Sequence, residues 1–273
     1  MKKEHAMTEE EAGRYWNANA EAWTVLARAG YDIYRDQLNT PAFFEILPDV
    51  GGLSGIDIGC GEGHNTRLLA GRGARMEAVD ISEVFIEKAR EAEAETPLGV
   101  RYQVGSATKL PYADASFDFA ASFMCFMDVP EPEKALQEAF RVLKPGGFLQ
   151  FSITHPCFNT PRRKNLRNGS GETYAIQVGG YFSDENGRIE EWIFGAAPGH
   201  LKGQFPKFRV PLFNRTLTQW ADAITGAGFA IEKINEPCPD EETLRAYPYL
   251  QDASVVAYFL HFRCRKNEEV IRG

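Results

Sequence analysis

Long apolar runs are missing from this chain, and no stretch approaches the roughly 18 residues that a membrane-spanning helix needs. The start, Met1-Lys2-Lys3-Glu4-His5, is charged and has no apolar segment of the kind that marks a secretory leader. Paired cysteines are missing as well. The five thiols, Cys60, Cys125, Cys157, Cys238 and Cys264, are odd in number, widely spaced and free of any C-x-x-C pair. That pattern argues against a disulfide framework or a metal site and for reduced cysteines. Positive charge is in deficit: 30 Lys and Arg against 38 Asp and Glu leave a formal net charge of −8. Such a balance is a poor match for the phosphate backbone of nucleic acid. No internal repeat or low-complexity tract occurs. The expectation is a soluble cytoplasmic chain with no membrane or nucleic-acid partner.

What is present is an ordinary globular composition, 44% apolar and 25% charged over 273 residues, enough for one α/β domain carrying an insertion. The most informative stretch is Gly55-Ile56-Asp57-Ile58-Gly59-Cys60-Gly61-Glu62-Gly63. It reads as a buried strand that stops in a glycine turn and opens a helix at Arg67-Leu68-Leu69-Ala70. Gly59 and Gly61 permit positive φ and lack a Cβ, so a ligand can lie on the backbone. A nicotinamide-type G-x-G-x-x-G would need glycine at position 64, where the chain has His64. Ala78-Val79-Asp80-Ile81-Ser82 follows as a second strand ending in an acid, about 20 residues on, as a ribose-binding carboxylate requires. The other role open to Asp80 or Ser82 is capping the next helix.

Around this centre, strands and helices alternate. Strands are expected near 55–58, 75–79, 100–104, 117–123 and 147–154, with helices near 64–71, 83–94 and 131–143. That order implies a parallel sheet covered by helices on both faces. Ahead of it, Thr8-Glu9-Glu10-Glu11 has capping-box form, with Ala12, Trp16, Ala20, Trp23 and Ala27 on one helical face. A second segment runs from 31 to 47. After it come a helix at 216–224 and strands at 229–234 and 254–263. Residues 156–215 exceed what a minimal α/β domain needs. They are rich in aromatics, and Asn186-Gly187 between 174–182 and 189–194 suggests a β-hairpin. The domain organisation read from this is a helical cap at 1–48, a core at 49–155, an inserted lid at 156–215 and the remaining core at 216–273.

The glycine turn, Asp80, the run Val104 to Tyr112, Ser116-Phe117-Asp118-Phe119 and Arg141 to Leu149 together resemble the class I S-adenosylmethionine-dependent methyltransferases, of the small-molecule type seen in ubiquinone and menaquinone biosynthesis. The resemblance covers about residues 50–155 plus the C-terminal tail. It implies a Rossmann-like seven-stranded sheet, mostly parallel with an antiparallel last strand. It also implies S-adenosylmethionine as cofactor, with Asp57, Gly59, Cys60, Gly61, Asp80, Ile81, Ser106, Ala107 and Phe123 around it. Many relatives have Asp where Ser106 stands, accepting from the adenine amino group; a serine hydroxyl can accept the same bond without the charge.

Methyl transfer from a sulfonium needs alignment and exclusion of water more than a fixed catalytic set. Where the acceptor must lose a proton, His155 at the carboxyl edge after the fifth strand is the candidate general base, and a cap on that strand end is its other role. Cys60 reads as a small apolar packing residue, and His64 as a local polar contact. The cluster Arg162-Arg163-Lys164 with Arg167 suits a solvated loop or an acidic acceptor. The expected activity is methylation of a small molecule. An RNA or protein methyltransferase, or a silent cofactor-binding protein of the same fold, stays open, as does a homodimer formed through the aromatics of 156–215.

Overall fold

Thr8 opens the first helix as its spacing predicts: its hydroxyl accepts the Glu11 N–H at 3.2 Å while Glu11 Oε2 accepts the Thr8 N–H at 2.8 Å. Two helix-terminal donors are thereby satisfied reciprocally. In this computed structural model, which describes residues 6–267, α1 (Glu9–Arg28) is followed by a π-helical turn (Arg35–Asn39) running into α2 (Thr40–Glu45). The charged segment Met1-Lys2-Lys3-Glu4-His5 lies outside the described residues.

The core then alternates through β1 (Ser54–Ile58), α3 (His64–Gly71), β2 (Arg75–Asp80), α4 (Glu83–Glu95), β3 (Arg101–Val104), β4 (Phe117–Phe123), α5 (Pro132–Val142) and β5 (Leu143–Thr154). Each lies within a few residues of its expected range. The sheet has seven strands in the order β10-β11-β5-β4-β1-β2-β3, where β10 is Ala230–Asn235 and β11 is Phe259–Arg265. Strands β1 to β5 pair in parallel, and β11 runs antiparallel to both β5 and β10. The expected fold class is therefore the observed one. Strand alternation explains its two-sided cover. Ile56 and Ile58 of β1 face one core with Leu136 of α5 and Trp220 of α7 (Leu217–Gly226), while Met76 and Phe119 join the other with Phe43 of α2. Because β1 reverses direction relative to neither neighbour, the carboxyl ends of β1, β2, β4 and β5 share one edge, where open α/β sheets bind ligands.

The insertion departs from expectation. Residues 174–182 and 189–194 do not pair with each other. Two separate hairpins form instead: β6 (Lys164–Arg167) with β7 (Thr173–Gln177), and β8 (Arg188–Trp192) with β9 (Phe208–Leu212). The chain between them is held as a loop by Asn214, whose amide donates to the carbonyls of Tyr181 and Ser183 at 3.0 and 2.8 Å. Gly187 then donates to Leu212, so the Asn186-Gly187 turn leads β8 onto β9 rather than back onto β7. A short helix, α6 (Gly199–Lys202), lies in the β8–β9 connection. The last strand also starts later than expected, at Phe259. Residues 248–254 are a 3₁₀ helix, preceded by α8 (Glu241–Ala246), so a long connection joins the antiparallel pair β10 and β11.

Candidate active site

The turn after β1 is fastened to β2. Gly59 and Cys60 both donate to the Val79 carbonyl, at 2.8 and 3.0 Å, and Gly61 donates to Asp80 Oδ2 at 2.8 Å. Gly59 and Gly61 take φ of +76° and +54°. A Cβ on Gly59 would lie 2.2 Å from Cys125 Sγ, whereas one on Gly61 would meet nothing within 4 Å. Gly61 is thus needed for its backbone conformation, and the space above it is open.

That space belongs to a cavity of about 720 Å³, within the range of small-molecule sites. Of the residues expected around a cofactor, Asp57, Gly59, Cys60, Gly61, Asp80, Ile81, Ala107 and Phe123 line it. Ser106 does not. Its hydroxyl is turned onto the carboxylate of Glu9 and onto Thr108 Oγ1, the latter at 2.9 Å. Phe123 packs against Phe43 with ring centroids 4.0 Å apart and planes tilted by 36°.

Burial raises two of these carboxyls. Asp57 accepts Thr66 Oγ1 at 2.6 Å through Oδ2, while its buried Oδ1 has no hydrogen-bond partner among the described residues. Burial pushes its carboxyl up to about 7 against the pull of Thr66. Asp80 accepts from Gly61 and Ser82, and burial still raises it to about 6. An arriving cation or donor would relieve both. Burial and the nearby Asp80 hold the Cys60 thiol protonated, in keeping with packing and not nucleophilic chemistry. His64 also lines the cavity, where burial and the charge of Arg35 lower its basicity.

His155 stands apart. It is 3% exposed and outside the cavity wall. Its Nδ1 accepts the Cys157 N–H at 3.2 Å, which puts the ring proton on Nε2, and Nε2 then donates to Glu236 Oε1 at 2.7 Å. With both nitrogens engaged, the ring has the geometry of a strand-end clamp, the other role open to it.

Sequence patterns missed other wall residues. Asp128, in a short 3₁₀ turn (Phe126–Asp128) after β4, lines the cavity at 9% exposure. Its carboxyl makes no hydrogen bond or ion pair among the described residues, and burial drives it well above the usual carboxylate range, opposed only by the charge of Arg215. The segment before the π-helical turn adds Asp32, raised to about 6 by burial against the pull of Arg35. A lone acid in a hydrophobic run carries no sequence signature, which is why Asp128 escaped notice.

The far side of the cavity is aromatic. Trp23 of α1 meets Phe208 at 4.8 Å, Phe194 at 5.0 Å and Trp192 at 5.4 Å between ring centroids. Helix α1 and the β8–β9 hairpin therefore form one roof. Arg163 of the expected basic cluster reaches this side and is paired with Asp252 at 2.6 Å. No metal-ligating cluster occurs among the described residues, and no described helix is long and apolar enough to cross a membrane.

Residues 56–151 match the methyltransferase domain family. A demethylmenaquinone methyltransferase of Clavibacter sepedonicus is 36% identical over 134 residues, which are 49% of this chain and 53% of that protein. A ubiquinone biosynthesis O-methyltransferase of Coxiella burnetii is 29% identical over 62% of this chain and 61% of its own length. The chain thus spans little more than half the length of the curated relatives it matches. Among solved structures, an S-adenosylmethionine-dependent methyltransferase from Mesorhizobium loti superposes with a TM-score of 0.66 at 29% identity, covering 82% of this chain and 96% of that one.

Proposed function

We propose that this chain, whose core is a class I methyltransferase domain taking S-adenosylmethionine as cofactor, methylates a small molecule held beneath the aromatic roof. One observation carries the reading: a single cavity joins the glycine turn, Asp57 and Asp80 to the lobe walled by Trp23, Trp192 and Phe194. A cofactor site and an acceptor site that open into one another are what a direct displacement demands.

The residues suit the cofactor. Asp80 would accept the ribose hydroxyls, the free Oδ1 of Asp57 offers an acceptor to an ammonium, and the bare backbone at Gly61 leaves room for a chain to lie on it. The cofactor supplies a methyl group on a sulfonium, an already activated leaving group. The protein's part is to align the acceptor and keep water out, and the aromatic roof does both. Asp128, where ionised, is the group best placed to take a proton from an acceptor hydroxyl or N–H, since it lines the cavity with no hydrogen-bond or ion-pair partner among the described residues.

Two relatives are named for demethylmenaquinone and for ubiquinone biosynthesis. We carry over only the class, a small molecule with a ring that fits aromatic walls. In the same reading, the described part of residues 1–48 caps the site, 156–215 serve as its lid, and the free thiols suit a cytoplasmic setting. The test is transfer of a labelled methyl group from S-adenosylmethionine to a panel of phenols, hydroquinones and amines. Cofactor binding without transfer to any of them would leave a binding protein of this fold.

A further inference from the structure

We propose that Glu9 of α1 reads the base of the nucleoside, accepting the exocyclic amino group of adenine in place of an acid on the sheet. The inference rests on the cofactor placement above and adds a specificity residue from outside the core domain.

Asp80 lies between two strand exits: its carboxylate takes the Gly61 N–H from the β1 side, and its carbonyl takes the Gly105 N–H from the β3 side at 2.9 Å. With the ribose on Asp80 and the amino-acid part over the glycine turn, the base falls at the exit of β3. The wall there is supplied by the start of α1 and by that exit: Glu9, Ala12, Gly13, Gly105 and Ala107. Among these five only Glu9 has a polar side chain. The other four are Ala or Gly, so their side chains take up little of the space there. Helix α1 comes so close that a Cβ on Gly13 would lie 2.9 Å from Ile81 Cδ1.

Glu9 is held in place. Ser106 Oγ donates to its Oε1, and Thr108 Oγ1 donates to its Oε2 at 2.7 Å. Those two bonds leave acceptor capacity on both oxygens, because a carboxylate offers about four lone-pair sites. Ser106 therefore acts behind the wall, aiming the carboxylate that touches the cavity. Asn17 secures the same helix further along, its Oδ1 accepting Ser82 Oγ at 3.0 Å and the Val84 N–H at 3.1 Å. The acid that recognises the base is thus brought by α1, a helix that these contacts already hold over the site.

The test is calorimetric titration of the full chain with S-adenosylhomocysteine and with its purine analogue, which lacks the 6-amino group. The wild type is expected to prefer the amino-bearing ligand by about 10-fold or more, as for a hydrogen bond to a charged acceptor. In Glu9→Ala that preference should fall to within about 3-fold, with binding of the purine analogue unchanged, which also certifies the fold. Equal weakening of both ligands in Glu9→Ala would make Glu9 a mere prop for α1 and overturn the proposal. So would a wild type that binds both ligands equally, although the cofactor site would then stand. Failure of the wild type to bind either ligand would overturn the cofactor placement itself.

Discussion

Asp80 Oδ2 accepts the Gly61 N–H at 2.8 Å, so the acid at the tip of β2 is tied to the turn that ends β1. The bond fixes the carboxylate across the mouth of the turn. It also couples two sequence features about 20 residues apart into one binding surface.

Asp80→Ala is expected to weaken S-adenosylmethionine by about 1–3 kcal/mol, since ribose donors lose a charged acceptor and the turn loses its tie. Calorimetry on a variant shown to be folded by circular dichroism checks this. Unchanged affinity would remove Asp80 from the site.

The pH dependence of stability follows from Asp57. Burial holds its folded-state pKa at about 7, above the ordinary value of 3.8. Between those values the folded chain binds more protons than the unfolded one, so this residue's contribution is full below pH ~4 and is lost as pH rises through ~7. Asp57→Asn should therefore gain stability relative to wild type between pH 4 and 8, by a few kcal/mol at most. Urea denaturation of both proteins at pH 5 and pH 8, without cofactor, measures it; a difference that does not change with pH would contradict the assignment.

Asp128→Asn should lower methyl transfer by about 10²-fold, with the cofactor Kd within twofold of wild type. The measurement is kcat against pH with the acceptor found in the panel. A variant retaining full turnover across pH would show that the acceptor needs no base from this wall.

His155→Ala should behave oppositely. The bonds to Cys157 and Glu236 are lost, so stability falls by about 1–3 kcal/mol while turnover stays within about threefold. Thermal melts and methyl transfer on the same preparation separate the two effects. A 10²-fold loss of turnover with normal stability would restore the base role.

Replacing residues 158–213 by a short Gly/Ser linker should abolish acceptor methylation, and should also weaken the cofactor. Trp23 loses Trp192, Phe194 and Phe208 in that variant, so the helix carrying Glu9 loses its packing at the other end. Intact methylation in a monomeric deletion variant would sink the lid.

The parallel core was legible because its signals are local: apolar strands of the right length, a glycine turn and an acid at the next strand end. The insertion was not. Asn186-Gly187 has the composition of a hairpin turn, but strand choice there depends on Asn214, some 30 residues on, whose amide holds the intervening loop open. The role of His155 was likewise undecidable from its neighbours, because Glu236, its partner on Nε2, is 81 residues away.

By itself, then, the sequence determined the order of strands and helices in the parallel core, the capping box at Thr8 and the glycine turn facing Asp80, since each rests on backbone preferences a few residues long. Only the tertiary structure decided which carboxyls meet the cavity. Burial and orientation are set by distant elements: α1 swings Glu9 over Ser106, Glu236 after β10 meets His155, and the turn after β4 leaves Asp128 lining the cavity without a partner among the described residues.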